Sequence, residues 1–270
     1  MLRSKSPLAF RLARITGAAL VVALLAAPRP ARAARPFVSR DLVLSRSEVA
    51  FDIGLGIGHY PTPPGITGTG FGMNLALSFG LGGNVEIGAR TGFRLDNPGQ
   101  ATQADSYGRT FDTETFGVGY DRVANPEIHV RWDLARGPSA ELGFELRAIL
   151  PIEDHTRFGM VLGLPIALRT GVLRLDTGIY IPIIFYSPIQ TAISIPAHLW
   201  IQVSPTLWLG PLFGIRVYHQ NGASWNQYPV GFGIGSALAP NLDLRAWFLF
   251  DNVDDNAVYG GGIALQVRFD

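Results

Sequence analysis

The sequence contains no cysteine and, beyond position 5, no lysine. The first absence excludes a disulfide scaffold and any thiolate-ligated metal or redox centre. The second makes every later cation an arginine. The first 33 residues lack acidic side chains altogether, whereas the remainder carries 21 Asp and Glu against 16 Arg, a net charge of −5. The apparent basicity of the whole chain, +1, therefore belongs to its leader, and a nucleic-acid partner is disfavoured for the rest. Between Thr177 and Ile215 there is no Asp, Glu, Lys or Arg. Pro182, Pro188, Pro196, Pro205 and Pro211 interrupt that stretch, and each internal proline costs a helix about 3 kcal/mol, so it cannot be a pair of membrane helices. With 47% hydrophobic and 16% charged residues, the chain is also not intrinsically disordered.

What is present begins with a basic start, an apolar run from Ile15 to Ala27 and Ala31-Arg32-Ala33, the pattern of a secretory signal peptide over residues 1–33 that is cleaved after Ala33. The run is too short for a bilayer, which needs about 20 residues. Residues 34–46 then read as a periplasmic N-terminal segment and 47–270 as one domain.

Within that domain the apolar residues recur with period 2. Val49, Phe51, Ile53, Leu55 and Ile57 alternate with Ala50, Asp52, Gly54, Gly56 and Gly58, which is a strand with one apolar face. The same pattern restarts at Phe71, Val85, Ile128, Ala140, Phe158, Leu173, Ile193, Leu207, Val230, Leu242 and Ile263, giving twelve strands. The connectors alternate between tight turns (81–84, 136–138, 170–171, 204–206, 239–241) and longer segments (61–70, 96–124, 151–157, 184–190, 219–229, 251–259). That alternation predicts an all-β, closed, antiparallel up-and-down barrel and not a Greek-key sandwich. Pro165, Pro182, Pro196 and Pro211 fall inside strands and are expected at bulges or frayed ends.

The charges decide which face is which. Eight acids and nine arginines sit on the polar strand face and none on the apolar one. Paired acids and guanidiniums suit a confined interior, and an Arg or Lys at mid-bilayer would cost about 2 to 4 kcal/mol, so the apolar face is read as facing lipid. The inward face concentrates charge on strands three to five, in Glu86, Arg90, Arg94, Glu127, His129, Arg131, Asp133, Glu141, Glu145 and Arg147. The tenth strand, opposite the fourth, offers only Gly231, Gly233, Gly235 and Ala237. Trp200, Trp208 and Trp247 point inward, either as a surface for sliding solutes or as filling beside those glycines. Outward Phe71, Phe93, Trp132, Phe158, Phe232, Phe250 and Phe269 read as anchors at the lipid interface. A twelve-stranded lumen lies between the filled eight-stranded barrels and the open 16-stranded porins, so its size leaves pore and plug both open.

The chain ends Gly260-Gly261-Gly262-Ile263-Ala264-Leu265-Gln266-Val267-Arg268-Phe269-Asp270. In this alternating last strand with an aromatic close to its end, the sequence resembles Gram-negative outer-membrane β-barrel proteins; Asp270 makes the aromatic penultimate instead of terminal. The resemblance implies export through the periplasm to the outer membrane, contact with its lipids and lipopolysaccharide, and recognition of Phe269 by the barrel-assembly machinery. The function expected is a porin-like channel for passive diffusion of small solutes or ions, with no cofactor and no metal. Replacing Arg131 and Arg147 with Glu is then expected to shift its selectivity toward cations. A non-conducting structural or adhesive barrel is the alternative, and a lipid-modifying enzyme a lesser one. Gly54-Leu55-Gly56-Ile57-Gly58 lacks the following helix of a nucleotide loop. His219-Gln220-Asn221-Gly222-Ala223-Ser224 lacks the serine two residues after histidine that the outer-membrane phospholipase motif requires. The long loops carry ten acids against three arginines, a rim suited to attracting cations or simply to solvation.

Overall fold

A computed structural model of the chain describes residues 35–59, 69–95, 123–152, 156–185 and 187–269. The leader and nearly all of the 96–124 connector lie outside them, as does Asp270. The described chain begins with an irregular segment containing a single 3-10 turn, Phe37–Ser39, and continues as strands. These are β1 Val49–His59, β2 Thr69–Gly82, β3 Val85–Arg94, β4 Glu127–Arg136, β5 Ala140–Ile149, β6 Gly159–Thr170 and β7 Leu173–Ile184. They continue as β8 Gln190–Gln202, β9 Leu207–Gln220, β10 Ala223–Gln227, β11 Val230–Ala239, β12 Leu242–Asn252 and β13 Asp255–Phe269. Each pairs antiparallel with its neighbour, and β1 pairs with β13 so that Val49 faces Phe269 and the sheet closes. Both β10 and β11 pair with β9, on either side of Tyr228-Pro229, so the thirteen elements form a barrel of twelve staves.

Closure leaves no edge, which a lipid-spanning sheet requires. The outward residues are the expected apolar ones: Leu55, Phe71, Trp132, Ile193, Phe232 and Ile263 are exposed, while the alternating Gly54, Glu145, Trp208 and Asp243 are buried in the lumen. Exposure of so many large apolar side chains in a continuous outward band is the pattern of a membrane-spanning barrel. No helix among the described residues is long and apolar enough to cross a membrane.

Two expectations are corrected. The prolines do not sit at bulges. Pro165 and Pro182 hold register across the β6–β7 pair, Pro196 across β8–β9 and Pro211 across β9–β11, and each lacks a pairing on its other side. A residue with no N–H can serve one ladder while the other opens locally. The register shifts fall instead at Gly80/Gly82, Asp133/Ala135, Ala237/Ala239 and Phe250/Asn252. The second correction concerns connectors 219–229 and 251–259, which are not long loops but hairpins turning at Asn221-Gly222 and Val253-Asp254. Beyond the lipid both faces of a strand meet water, so pairing continues where the apolar alternation has ended.

Candidate functional site

The register of β3, β4 and β5 brings the predicted charged residues into one wall. Glu86 faces Arg131, which faces Glu145; Arg90 faces Glu127; and His129 faces Arg147. The wall is interlocked. Arg131 Nη2 lies 2.6 Å from Glu145 and Nη1 3.6 Å from Glu86; Arg90 lies 2.7 Å from Glu127; Arg147 pairs with both Glu127, at 3.1 Å, and Glu145. His129 Nε2 is 3.2 Å from Glu86. Toward the short turns, Asp133 pairs with Arg136 at 2.5 Å and Glu141 with Arg169 at 3.0 Å. Glu127 and Glu145 are 1% and 0% exposed. Carboxylates taken so far from water persist only when several guanidiniums meet them, which is what each has. Of Arg94 only the backbone is described.

Residues 36–44, part of the 34–46 span read from the sequence as a periplasmic N-terminal segment, lie against this wall inside the short-turn end of the lumen. They form a strap, and the wall holds its backbone. The Leu42 N–H donates to Glu141 Oε2 at 2.6 Å, and the Leu44 N–H to Glu86 Oε2 at 2.9 Å. In the other direction Arg131 donates to the Leu42 carbonyl at 3.2 Å, Arg174 to the Phe37 carbonyl at 3.3 Å, and Arg169 and Arg174 both to the Arg40 carbonyl. The Val38 N–H donates to Gln202 at 3.2 Å. A chain inside a lumen must find partners for its amides and carbonyls, and here side chains of the wall supply them. The strap leaves past Gly80, where a Cβ would run into the Ser45 carbonyl, and enters β1 after the Ser47 N–H donates to the Gly80 carbonyl at 2.8 Å.

Two side chains of the strap reach the opposite wall. Arg40 forms a two-pronged pair with Asp243 on β12, one arm at 2.9 Å, and Arg268 stands 3.6 Å from the same carboxylate. Phe37 stacks on Trp208 with centroids 4.7 Å apart and planes 5° from parallel, and meets Trp200 edge-on at 5.5 Å. The guanidiniums of Arg40 and Arg174 lie 5.6 Å and 5.2 Å from the Phe37 ring, a cation–π arrangement. The glycines of the tenth stave make this slot. A Cβ on Gly233 would come within 2.6 Å of the Trp200 ring, and one on Gly235 would strike Trp208. At the exposed mouth Asp41 pairs with Arg35 at 3.0 Å and stands 3.6 Å from Arg136. Burial pushes the Asp41 carboxyl up, but the two guanidiniums outweigh it and hold it below its ordinary value of 3.8.

Beyond the strap the lumen contains a cavity of about 400 Å³, whose lining includes Arg90, His129, Arg131, Arg147, Arg245 and Trp247. Arg245 pairs with Asp52, whose other oxygen accepts from Gln266 at 2.9 Å. Of the three predicted inward tryptophans, Trp200 and Trp208 thus meet at Phe37, while Trp200 and Trp247 both line the cavity. The predicted charged residues other than Arg94 gather as one wall, whereas Phe37, Arg40, Gln202 and Asp243 are not among the expected site residues. The signal available for the strap was its apolar content: Phe37, Val38, Leu42, Val43 and Leu44 are too many for a segment left in water. At the other rim, His219 Nδ1 and Ser224 Oγ lie 3.0 Å apart, facing each other across the β9–β10 hairpin. This pair is exposed and separate from the lumenal residues.

No protein-family model matches the sequence, and no curated protein matches it either. Solved structures do. An outer membrane channel from Pseudomonas putida F1 shares the fold at a TM-score of 0.58 and 11% identity, over 84% of this chain and 97% of that one. The NanC porin matches at 0.56 and 8%, over 82% and 99%, and the KdgM porin at 0.54 and 8%, over 82% and 99%. At such identities the likeness is one of fold. The chain is an all-β, closed, twelve-stranded antiparallel barrel of the outer-membrane type, with the outward apolar band of such barrels.

Proposed function

We propose that the protein is a porin-like outer-membrane channel for small polar solutes or ions, occupied at its short-turn end by its own N-terminal strap. The observation that carries this reading is the cavity of about 400 Å³ inside the barrel, lined by arginines, His129, Asp52 and Trp247. A barrel that served only as a scaffold would gain by filling this space with side chains, as small barrels do. Its volume lies in the range of small-molecule sites, and its guanidiniums favour solutes that bring hydrogen-bond acceptors. Lipid and lipopolysaccharide would cover the outward band, and Phe269, which closes the barrel against Val49, would be the residue read during assembly.

A second reading, a closed structural barrel, is favoured by the strap itself, since charged and aromatic contacts tie it to both walls. Proteoliposome swelling separates the two. Vesicles carrying the folded chain with Phe37→Ala and Arg40→Ala should swell in a monosaccharide and resist a large oligosaccharide. Failure to swell in any solute, from barrels that migrate as folded, would overturn the channel and leave the structural reading.

A further inference from the structure

We infer that the short-turn end of the lumen is a peptide-binding site, and that residues 36–44 are its resident, releasable ligand. The ligand class is a short segment that makes one 3-10 turn, with an aromatic residue at the start of the turn three positions before an arginine. Each part of that description has a counterpart on the barrel. The aromatic fills a slot floored by Trp208, edged by Trp200 and made possible by Gly233 and Gly235. The arginine meets Asp243, which is buried on the far wall and is also approached by Arg268. The stretch after it is read through its backbone, with Glu141 and Glu86 accepting from the amides of Leu42 and Leu44 and Arg131 donating to a carbonyl between them.

Recognition through backbone and two anchors differs from the way this barrel holds its staves together. Backbone pairing with β2 begins only at Ser47 and Glu48; residues 36–44 form no ladder with a strand, and side chains fixed in the wall meet them instead. Those wall groups keep partners of their own when the strap leaves. Glu141 retains Arg169, Glu86 retains His129 and Arg131, and Asp243 retains Arg268. The site is therefore a preformed surface that can empty without stranding a charge, and binding to it is set by anchors and not by the fold of the barrel. The tether is short, because Ser45, Arg46 and Ser47 are exposed at the mouth and β1 begins at Val49. A released strap stays at high local concentration and rebinds.

The absence of cysteine makes the test clean. Val43 is 2% exposed, so a Val43→Cys chain, folded and confirmed by heat-modifiable migration, should react slowly with a water-soluble maleimide. Adding Phe37→Ala and Arg40→Ala should raise the rate tenfold or more, and Asp243→Asn, which alters the wall and not the strap, should raise it in the same direction. A fluorescent peptide spanning residues 35–46 should bind saturably to the released chain and not to the parent, and the same peptide carrying both alanines should not bind. Rapid labelling of the parent, no acceleration in the variants, or equal binding of the two peptides would each overturn the inference. Neither readout uses current or solute flux. Saturable peptide binding to a barrel that passes no solute would keep this site and remove the channel; solute passage with no peptide binding would do the reverse.

Discussion

The wall built by β3 to β7 meets the strap with carboxylates and guanidiniums, whereas the wall of β8 to β12 meets it with two tryptophans, a row of glycines and Asp243. The first wall holds most of the backbone contacts of residues 37–44, and the second holds two of their side chains and, through Gln202, the Val38 N–H. The charged wall is interlocked before the strap arrives, because Glu127 and Glu145 are each shared by two arginines. The aromatic wall has shape instead, since its glycines leave hollows where tryptophan rings lie. Charge therefore sets the stability of the barrel on one side, and shape sets the occupancy of its mouth on the other.

The largest effect should come from breaking the charged wall at its centre. Glu145→Leu removes the carboxylate that Arg131 and Arg147 share and leaves them only Glu86 and Glu127, and losing one partner of such a buried cluster costs about 3–5 kcal/mol. Urea titration followed by heat-modifiable migration should show this loss. The same reasoning corrects the selectivity experiment suggested by sequence: Arg131→Glu with Arg147→Glu would set new carboxylates against Glu127 and Glu145, and would fail to fold before it reported on ions. Arg245, paired with the half-exposed Asp52, is the better probe of selectivity.

On the aromatic side, Gly235→Val should act locally. The new side chain strikes Trp208, and overpacking of this kind costs about 1–3 kcal/mol. Its mark is loss of the Phe37 slot, seen as changed tryptophan fluorescence and a more accessible strap, with the barrel still closed. Phe37→Ala alone should do less, removing a stacked pair worth about 0.5–1.5 kcal/mol beyond its buried area. Its effect should be confined to strap release, with urea stability of the barrel unchanged within error.

The smallest effect is that of pH at the mouth. The Asp41 carboxyl is held below 3.8 by Arg35 and Arg136, so its contribution to holding the strap is complete above that value and is lost as pH falls through the lowered one. Ion flux through the folded chain should be flat from neutral pH down to about 4 and rise only below it. Asp41→Asn should remove that acid limb.

Much of this architecture was legible in the sequence for a simple reason. Lipid outside and a charged lumen inside impose period 2 on every stave, so Val49 to Ile57 and Ala140 to Leu150 announce both their conformation and their faces. The charged wall followed from the same parity, because adjacent antiparallel strands must place Glu86, Arg131 and Glu145 on one face. Parity says nothing where one face is not in lipid, and the hairpins at Asn221-Gly222 and Val253-Asp254 were accordingly read as loops. The contacts of the strap are illegible for a related reason. Its fit depends on partners far away in sequence, such as Asp243 for Arg40 and Trp208 for Phe37, and no local period signals a segment whose backbone is bound by side chains.

The central claim is that a solute path exists in this barrel and that the strap occupies one end of it. Single-channel recording in planar bilayers tests it most directly, comparing the folded chain from residue 34 onward with the same chain carrying Phe37→Ala and Arg40→Ala. The account predicts small or rare openings in the first and steady, salt-dependent conductance in the second, with the difference abolished when the peptide of residues 35–46 is added from the short-turn side. Equal conductance in the two chains, or none in either, would contradict it.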